Sequence, residues 1–139
     1  MSVIVTDNGF GNEIWFGRYV TPDQLAANDC DTVALDLAPD AQVEHLAGKL
    51  DPVALIRVAF PSFADGRGFT IARQLRLMGY RGRLRAEGHV IADQYAMARR
   101  SGFDEVEISE DLAARQPQEQ WQARANWRAH DYQSRLRGN

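Results

Sequence analysis

The chain has 139 residues, 45% of them hydrophobic and 25% charged, with a formal net charge of -3, a balance of ordinary globular proteins that excludes extended disorder and a strongly basic nucleic-acid binder. That length suits a single domain over residues 1–139 and is too short for two independent cores. No run approaches the roughly 18 apolar residues of a membrane span, and the start "MSVIVTDNGF" has neither the basic region nor the apolar stretch of a leader, so the expectation is a cytoplasmic protein.

In chain order, "VIV" at 3–5 and "EIWF" at 13–16 flank the turn dipeptide Asn8-Gly9 and predict a short N-terminal hairpin. "DTVALDL" (31–37) and "VALIRVAF" (53–60) are apolar runs of strand length, separated by a segment in which Val43, Leu46 and Leu50 recur at helical spacing. "GFTIARQLRLMGY" then places Ile71, Leu75 and Met78 on one helical face, with Gly79 as the stop and Tyr80 able to fold back on the last turn. "RGRLRA" (81–86) reads as a third strand of lower apolar character. "VIADQYAMARRSG" reads as a helix burying Ile91, Tyr95 and Ala98, closed by Gly102-Phe103, and "FDEVEI" as the fourth strand. Ser109 is an N-cap candidate followed by Glu110 and Asp111, which favour a helix start. Pro117 breaks that helix, and the tail beyond it is helix-compatible, with Trp121, Ala125, Arg128 and Tyr132 on one stripe.

The junction of helix, glycine, aromatic and strand occurs twice, at Gly79-Tyr80 and Gly102-Phe103. Recurrent β-α units with such short links predict an α/β fold: one domain with a mainly parallel sheet, an N-terminal hairpin and a C-terminal helix, its strand order open between a layered sheet and a barrel-like array.

Charge is unevenly spread. Residues 57–85 carry seven arginines (57, 67, 73, 76, 81, 83 and 85) against Asp65 alone, between acidic segments on either side. Neutralisation of these segments across the fold is the simplest expectation.

In parallel α/β proteins, ligands gather where strands end and helices begin. The residues at those ends are Asp36, the "FADGRGF" loop at 63–69, Glu87 to His89, and Glu107 with Ser109. Glycines at 66 and 68 allow backbone amides to approach a ligand, and Arg67 offers a planar fork to sulfate, phosphate or carboxylate, with Asp65 and Arg85 completing the ligand-binding candidates. The same loop also reads as a tight turn in which Asp65 and Arg67 pair with neighbours. It is neither a dinucleotide fingerprint nor a Walker loop. Glu87 and His89 are the candidate catalytic pair, an acid/base couple. His45 and His130 share no ligand spacing, so no metal site is expected, and Cys30 sits among acids that disfavour a thiolate. One cysteine holds no four-thiolate iron–sulfur cluster and no C-x-x-C-H binds haem, so any redox chemistry would borrow a cofactor whose identity the residues leave open.

Over residues 60–108 the D-G-R-G loop (Asp65 to Gly68), "GYRGRLRA" (Gly79 to Ala86), "DQ" (Asp93, Gln94) and "GFD" (Gly102 to Asp104) resemble a bacterial family of small uncharacterised proteins that carry the label of an oxidoreductase involved in sulfite reduction. The resemblance implies an accessory role in assimilatory sulfate or sulfite reduction. It departs at Ser101, where many of the similar sequences have cysteine.

Two readings follow. In the first, the chain docks on a sulfite- or sulfate-reducing enzyme through its arginine-rich segment or its Trp-bearing tail, with homodimerisation as a further use of an apolar patch near Trp121 and Trp127. In the second, it is an enzyme or sensor that binds an oxyanion or phosphorylated ligand at residues 65–68, with Arg85, Glu87 and His89 nearby. Neither nucleic acid nor membrane is expected as a partner.

Overall fold

Alternation of apolar and polar residues along the strands, joined by short helical links, builds one sheet. The computed structural model describes residues 2–12, 18–27, 33–50, 53–125 and 127. Among them the strands are β1 (Ser2–Thr6), β2 (Gly9–Gly11), β3 (Tyr19–Val20), β4 (Val33–Leu37), β5 (Val53–Phe60), β6 (Arg83–Gly88) and β7 (Glu105–Ser109). The helices are α1 (Pro22–Ala27), α2 (Arg67–Leu77), α3 (Tyr95–Ser101), α4 (Glu110–Arg115) and α5 (Gln118–Gln122). The sheet order is β2-β1-β7-β6-β5-β4-β3. Strands β3 to β7 run parallel, each beside its successor, and β1 lies antiparallel to both β7 and β2.

A sequential parallel order joined by right-handed crossovers puts the helices on one face. Burial agrees: Leu35, Ile56, Val58, Leu84, Val106 and Ile108 from alternate strand positions share one core with Ile71, Leu75, Tyr95 and Trp121 from the helices. The intervening positions, Asp36, Arg57, Arg83, Arg85, Glu87, Glu105 and Glu107, therefore occupy the other face.

The hairpin forms with Thr6 opposite Gly9, but its second arm is Gly9–Gly11; "EIWF" lies outside the described residues, as do Cys30, Arg128, His130 and Tyr132. The helical spacing of Val43, Leu46 and Leu50 yields one 3-10 turn over Val43–Leu46, because the backbone turns extended at Ala47 (ψ 128) and left-handed at Gly48 (φ 79). The third strand starts two residues later than its sequence pattern. Tyr80 folds back so that its hydroxyl reaches the Val53 carbonyl at 3.2 Å, and pairing begins at Arg83 opposite Leu55. Met78, placed on the buried face by spacing, is instead the C-cap of α2 and 37% exposed. Ser109 caps α4, its Oγ accepting from the Leu112 amide at 3.1 Å, and Pro117 separates α4 from α5.

The repeated junction has one geometry. Gly79 (φ 95) and Gly102 (φ 119) take the left-handed conformation that ends a helix. The amides of Tyr80 and Phe103 then reach back to the carbonyls of Leu75 and Ala98 at 3.1 and 3.0 Å, the hydrogen bond of a Schellman stop. Arg76 ties the two junctions together. Its guanidinium donates to the carbonyls of Tyr80, Gly82 and Gly102 at 2.8–3.0 Å and to the Asp104 carboxylate at 2.9 Å. Among the described residues no helix is long and apolar enough to cross a membrane.

Beside the second junction, Ser101 is 2% exposed and its Oγ has no hydrogen-bond partner among the described residues. An unsatisfied buried hydroxyl costs about 1–3 kcal/mol. Ser101→Ala is therefore expected to raise the unfolding midpoint in urea without changing the slope of the transition; a lower midpoint would show that the hydroxyl is satisfied.

Candidate functional site

The loop from β5 to α2 is a hydrogen-bonded turn. The Asp65 amide donates to the Ser62 carbonyl at 3.0 Å, and Gln94 Nε2 pins the Phe63 carbonyl at 2.6 Å. Arg67 turns its fork onto Asp65, with Nε and Nη2 donating to the two carboxylate oxygens at 2.9 and 2.7 Å, and its own amide adds a third bond at 3.2 Å. Those bonds hold the Asp65 carboxyl below the usual carboxylate range. The two glycines differ in what they do. A Cβ on Gly68 would lie 2.4 Å from Cζ of Phe60, whereas one on Gly66 would meet only the Phe69 ring at 3.8 Å. Gly68 is thus a seat for the Phe60 ring, which also packs against Phe69 and Phe103 with centroids 5.1 and 5.8 Å away.

Arg85 stands in a different cluster, on the polar face of the sheet. Strand register sets Asp36, Arg57, Arg85 and Glu105 in one row across four strands, and Ala59, Glu87 and Glu107 in the next row toward the strand ends. The Arg85 side chain is fully buried. It donates to Glu105 at 2.6 Å, to Glu107 at 2.9 Å and to the Tyr19 hydroxyl at 3.2 Å. Arg57 forks onto Asp36 at 2.7 and 2.9 Å, reaches Glu107 at 3.3 Å, and lies 4.1 Å over the Tyr19 ring. Arg83 completes the layer by donating to Glu105 at 2.8 Å.

Glu87 differs from its neighbours in this layer. It is half-buried, and among the described residues its carboxylate has no hydrogen bond or ion pair. Burial pushes its carboxyl above the ordinary value of 4.5, with Glu107 and Asp36 adding to the rise and Arg57 and His89 opposing it. A carboxyl so placed holds a proton into a higher pH range than a free glutamate and is chemically able to give or take one. His89 follows at the strand end, exposed, its amide bonded to the Phe60 carbonyl at 2.9 Å. The sequence-derived candidates therefore fall into two hydrogen-bonded sets, Asp65 with Arg67 and Arg85 with Glu105 and Glu107, with Glu87 and His89 beside the second.

Neutralisation of the arginine-rich segment across the fold is expected from the sequence; its concentration in one layer on the polar face of the sheet is not. A signal for it exists in the alternation of charge at 83, 85 and 87 and at 105 and 107, the period-2 mark of one strand face. Of the tail, residues 118–125 and 127 are described. Trp121 is 1% exposed, edge-on to Tyr95 with centroids 6.2 Å apart, and its Nε1 donates to the Gln116 carbonyl. Trp127 donates to Asp7 and lies 4.8 Å from the Arg99 guanidinium. Among the described residues the exposed large apolar groups are Phe63, Leu77, Met78 and Met97. Among the described residues no group of three or more His, Cys, Asp or Glu is arranged to hold a metal ion.

Two outcomes are expected. Folding holds the Glu87 proton more tightly than the unfolded chain does, so its contribution to stability falls as pH rises through the carboxylate range. Glu87→Gln should raise the melting midpoint at pH 7, and the gain should vanish as pH falls below the ordinary 4.5; a gain independent of pH would refute the raised proton affinity. Gly68→Ala should lower the midpoint sharply by driving a methyl into the Phe60 ring, while Gly66→Ala should leave it nearly unchanged.

Comparison with curated proteins returns no match. A family model matches residues 34–139, a span that takes in the Asp65 loop, both glycine junctions and the Arg85, Glu105 and Glu107 layer. With that share of its length matched, the chain belongs to the family described as "Bacterial protein of unknown function (DUF934)".

Proposed function

We propose that the protein is an accessory factor of assimilatory sulfate or sulfite reduction that works through a protein partner. The resemblance of residues 60–108 supplies the metabolic setting. The observation that carries a docking role is at the end of α2, where Leu77 is 88% exposed with Met78 next to it. A helix of this amphipathic type normally turns such residues to the core, and an exposed apolar group beside others marks a contact surface.

A second reading, an enzyme or sensor for an oxyanion or phosphoryl ligand, draws on the half-buried Glu87 at the strand ends and on the loop at 65–68. It requires Arg67 to leave Asp65 for the ligand.

One strain separates them. Deletion of the gene in the source bacterium should slow growth with sulfate as the only sulfur source and leave growth on sulfide or cysteine intact. Complementation should be lost with Leu77→Lys, whose exposed position keeps the fold within about 0.5 kcal/mol, and retained with Arg67→Ala. Normal growth of the deletion strain on sulfate would refute the accessory reading, and loss with Arg67→Ala alone would favour the ligand.

A further inference from the structure

Resting on the docking role, the chemistry of the surface around Leu77 specifies the partner more closely. Leu77 and Met78 border a hollow of about 350 Å³ with Val43, Glu44, Ala47 and Gln74. Met78 and Ala47 also border a second hollow, of about 670 Å³, in which Leu50 and Tyr80 provide apolar wall and Arg81 the charge. The two hollows adjoin at Met78 and Ala47, which line both, and make a strip that runs past the end of α2.

Its rim is basic. Arg73 lies one turn before Leu77 on the same stripe of α2, and Arg81 lies at the other end of the strip. Both are exposed, and among the described residues neither has a hydrogen bond or ion pair, in contrast to Arg57, Arg67, Arg76, Arg83 and Arg85, which all pair with carboxylates. Glu44 is the one carboxylate among the described residues lining either hollow. A second copy of the chain on a two-fold axis would bring its own Arg73 and Arg81 to the same seam, like charge against like charge.

We propose that this strip receives a short acidic segment of a different protein, with an apolar side chain seated against Leu77 and Met78 and carboxylates flanking it on Arg73 and Arg81. The apolar anchor supplies affinity, and the two arginines set orientation and partner choice.

The test places photoreactive p-benzoylphenylalanine at Gln74 of the full chain in living cells and sequences the cross-linked segment. The expected product is a segment of another protein with net negative charge and an apolar residue at its centre. Its yield should fall about tenfold with Arg73→Glu and Arg81→Glu together and by less with the two glutamine variants, circular dichroism serving as the check that each variant folds. Cross-links to a second copy of this chain, to a neutral or basic segment, or to nothing would overturn the proposal, as would a yield indifferent to the two arginines. An acidic cross-link in a strain whose deletion grows normally on sulfate would keep the docking surface and remove the sulfur role; impaired sulfate growth without an acidic cross-link would do the reverse.

Discussion

The sheet depends on a guanidinium with no access to water. Arg85 is fully buried between Glu105 and Glu107, and an unpaired charge in that position would cost several kcal/mol. The two carboxylates must therefore face it, which locks β6 and β7 into one register. A slip of one residue would turn Arg85, Glu105 and Glu107 into the core and Leu84, Val106 and Ile108 out of it. Asp36 and Arg57 extend the same condition across β4 and β5. Four parallel strands are thus aligned by charge on one face and by apolar packing on the other.

This arrangement explains where the basic middle of the chain goes. Its excess of arginine is consumed by structure: 57, 83 and 85 in the ionic layer, 76 across the two helix stops, 67 on its own loop. The pair at 73 and 81 stays exposed and outside these pairings, Arg81 beside an apolar hollow; this is the surface of the proposed docking. Function on this surface and stability of the sheet are accordingly separable. Glu87 is part of the ionic layer by position and, among the described residues, outside it by hydrogen bonding.

The strand-to-helix loop at 63–69 shows how one motif supports two physical readings until its neighbours are known. Glycine next to arginine next to glycine is chemically an anion seat, and in the fold the arginine is held by the aspartate two residues earlier. Gly68 is required by the Phe60 ring beneath it, a contact between residues eight apart in the chain, and Gly66 by no close contact of this kind.

Local chemistry was sufficient for much of this architecture. Apolar runs of strand length located β4 and β5, helical spacing located α2 and α3, and the glycine stops, the Ser109 cap and the Pro117 break needed only their own flanking residues, because each is a matter of backbone geometry within a few positions. The α/β class followed from their order. Tertiary structure decided what depends on residues distant in sequence: that the parallel strands lie in sequential order with helices on one face, that Arg85 meets Glu105 and Glu107 across a strand boundary, and that Trp121 enters the core while Leu77 and Met78 stay out. Those outcomes turn on which long-range pairs satisfy buried charge and volume together, and no window of neighbouring residues contains that information.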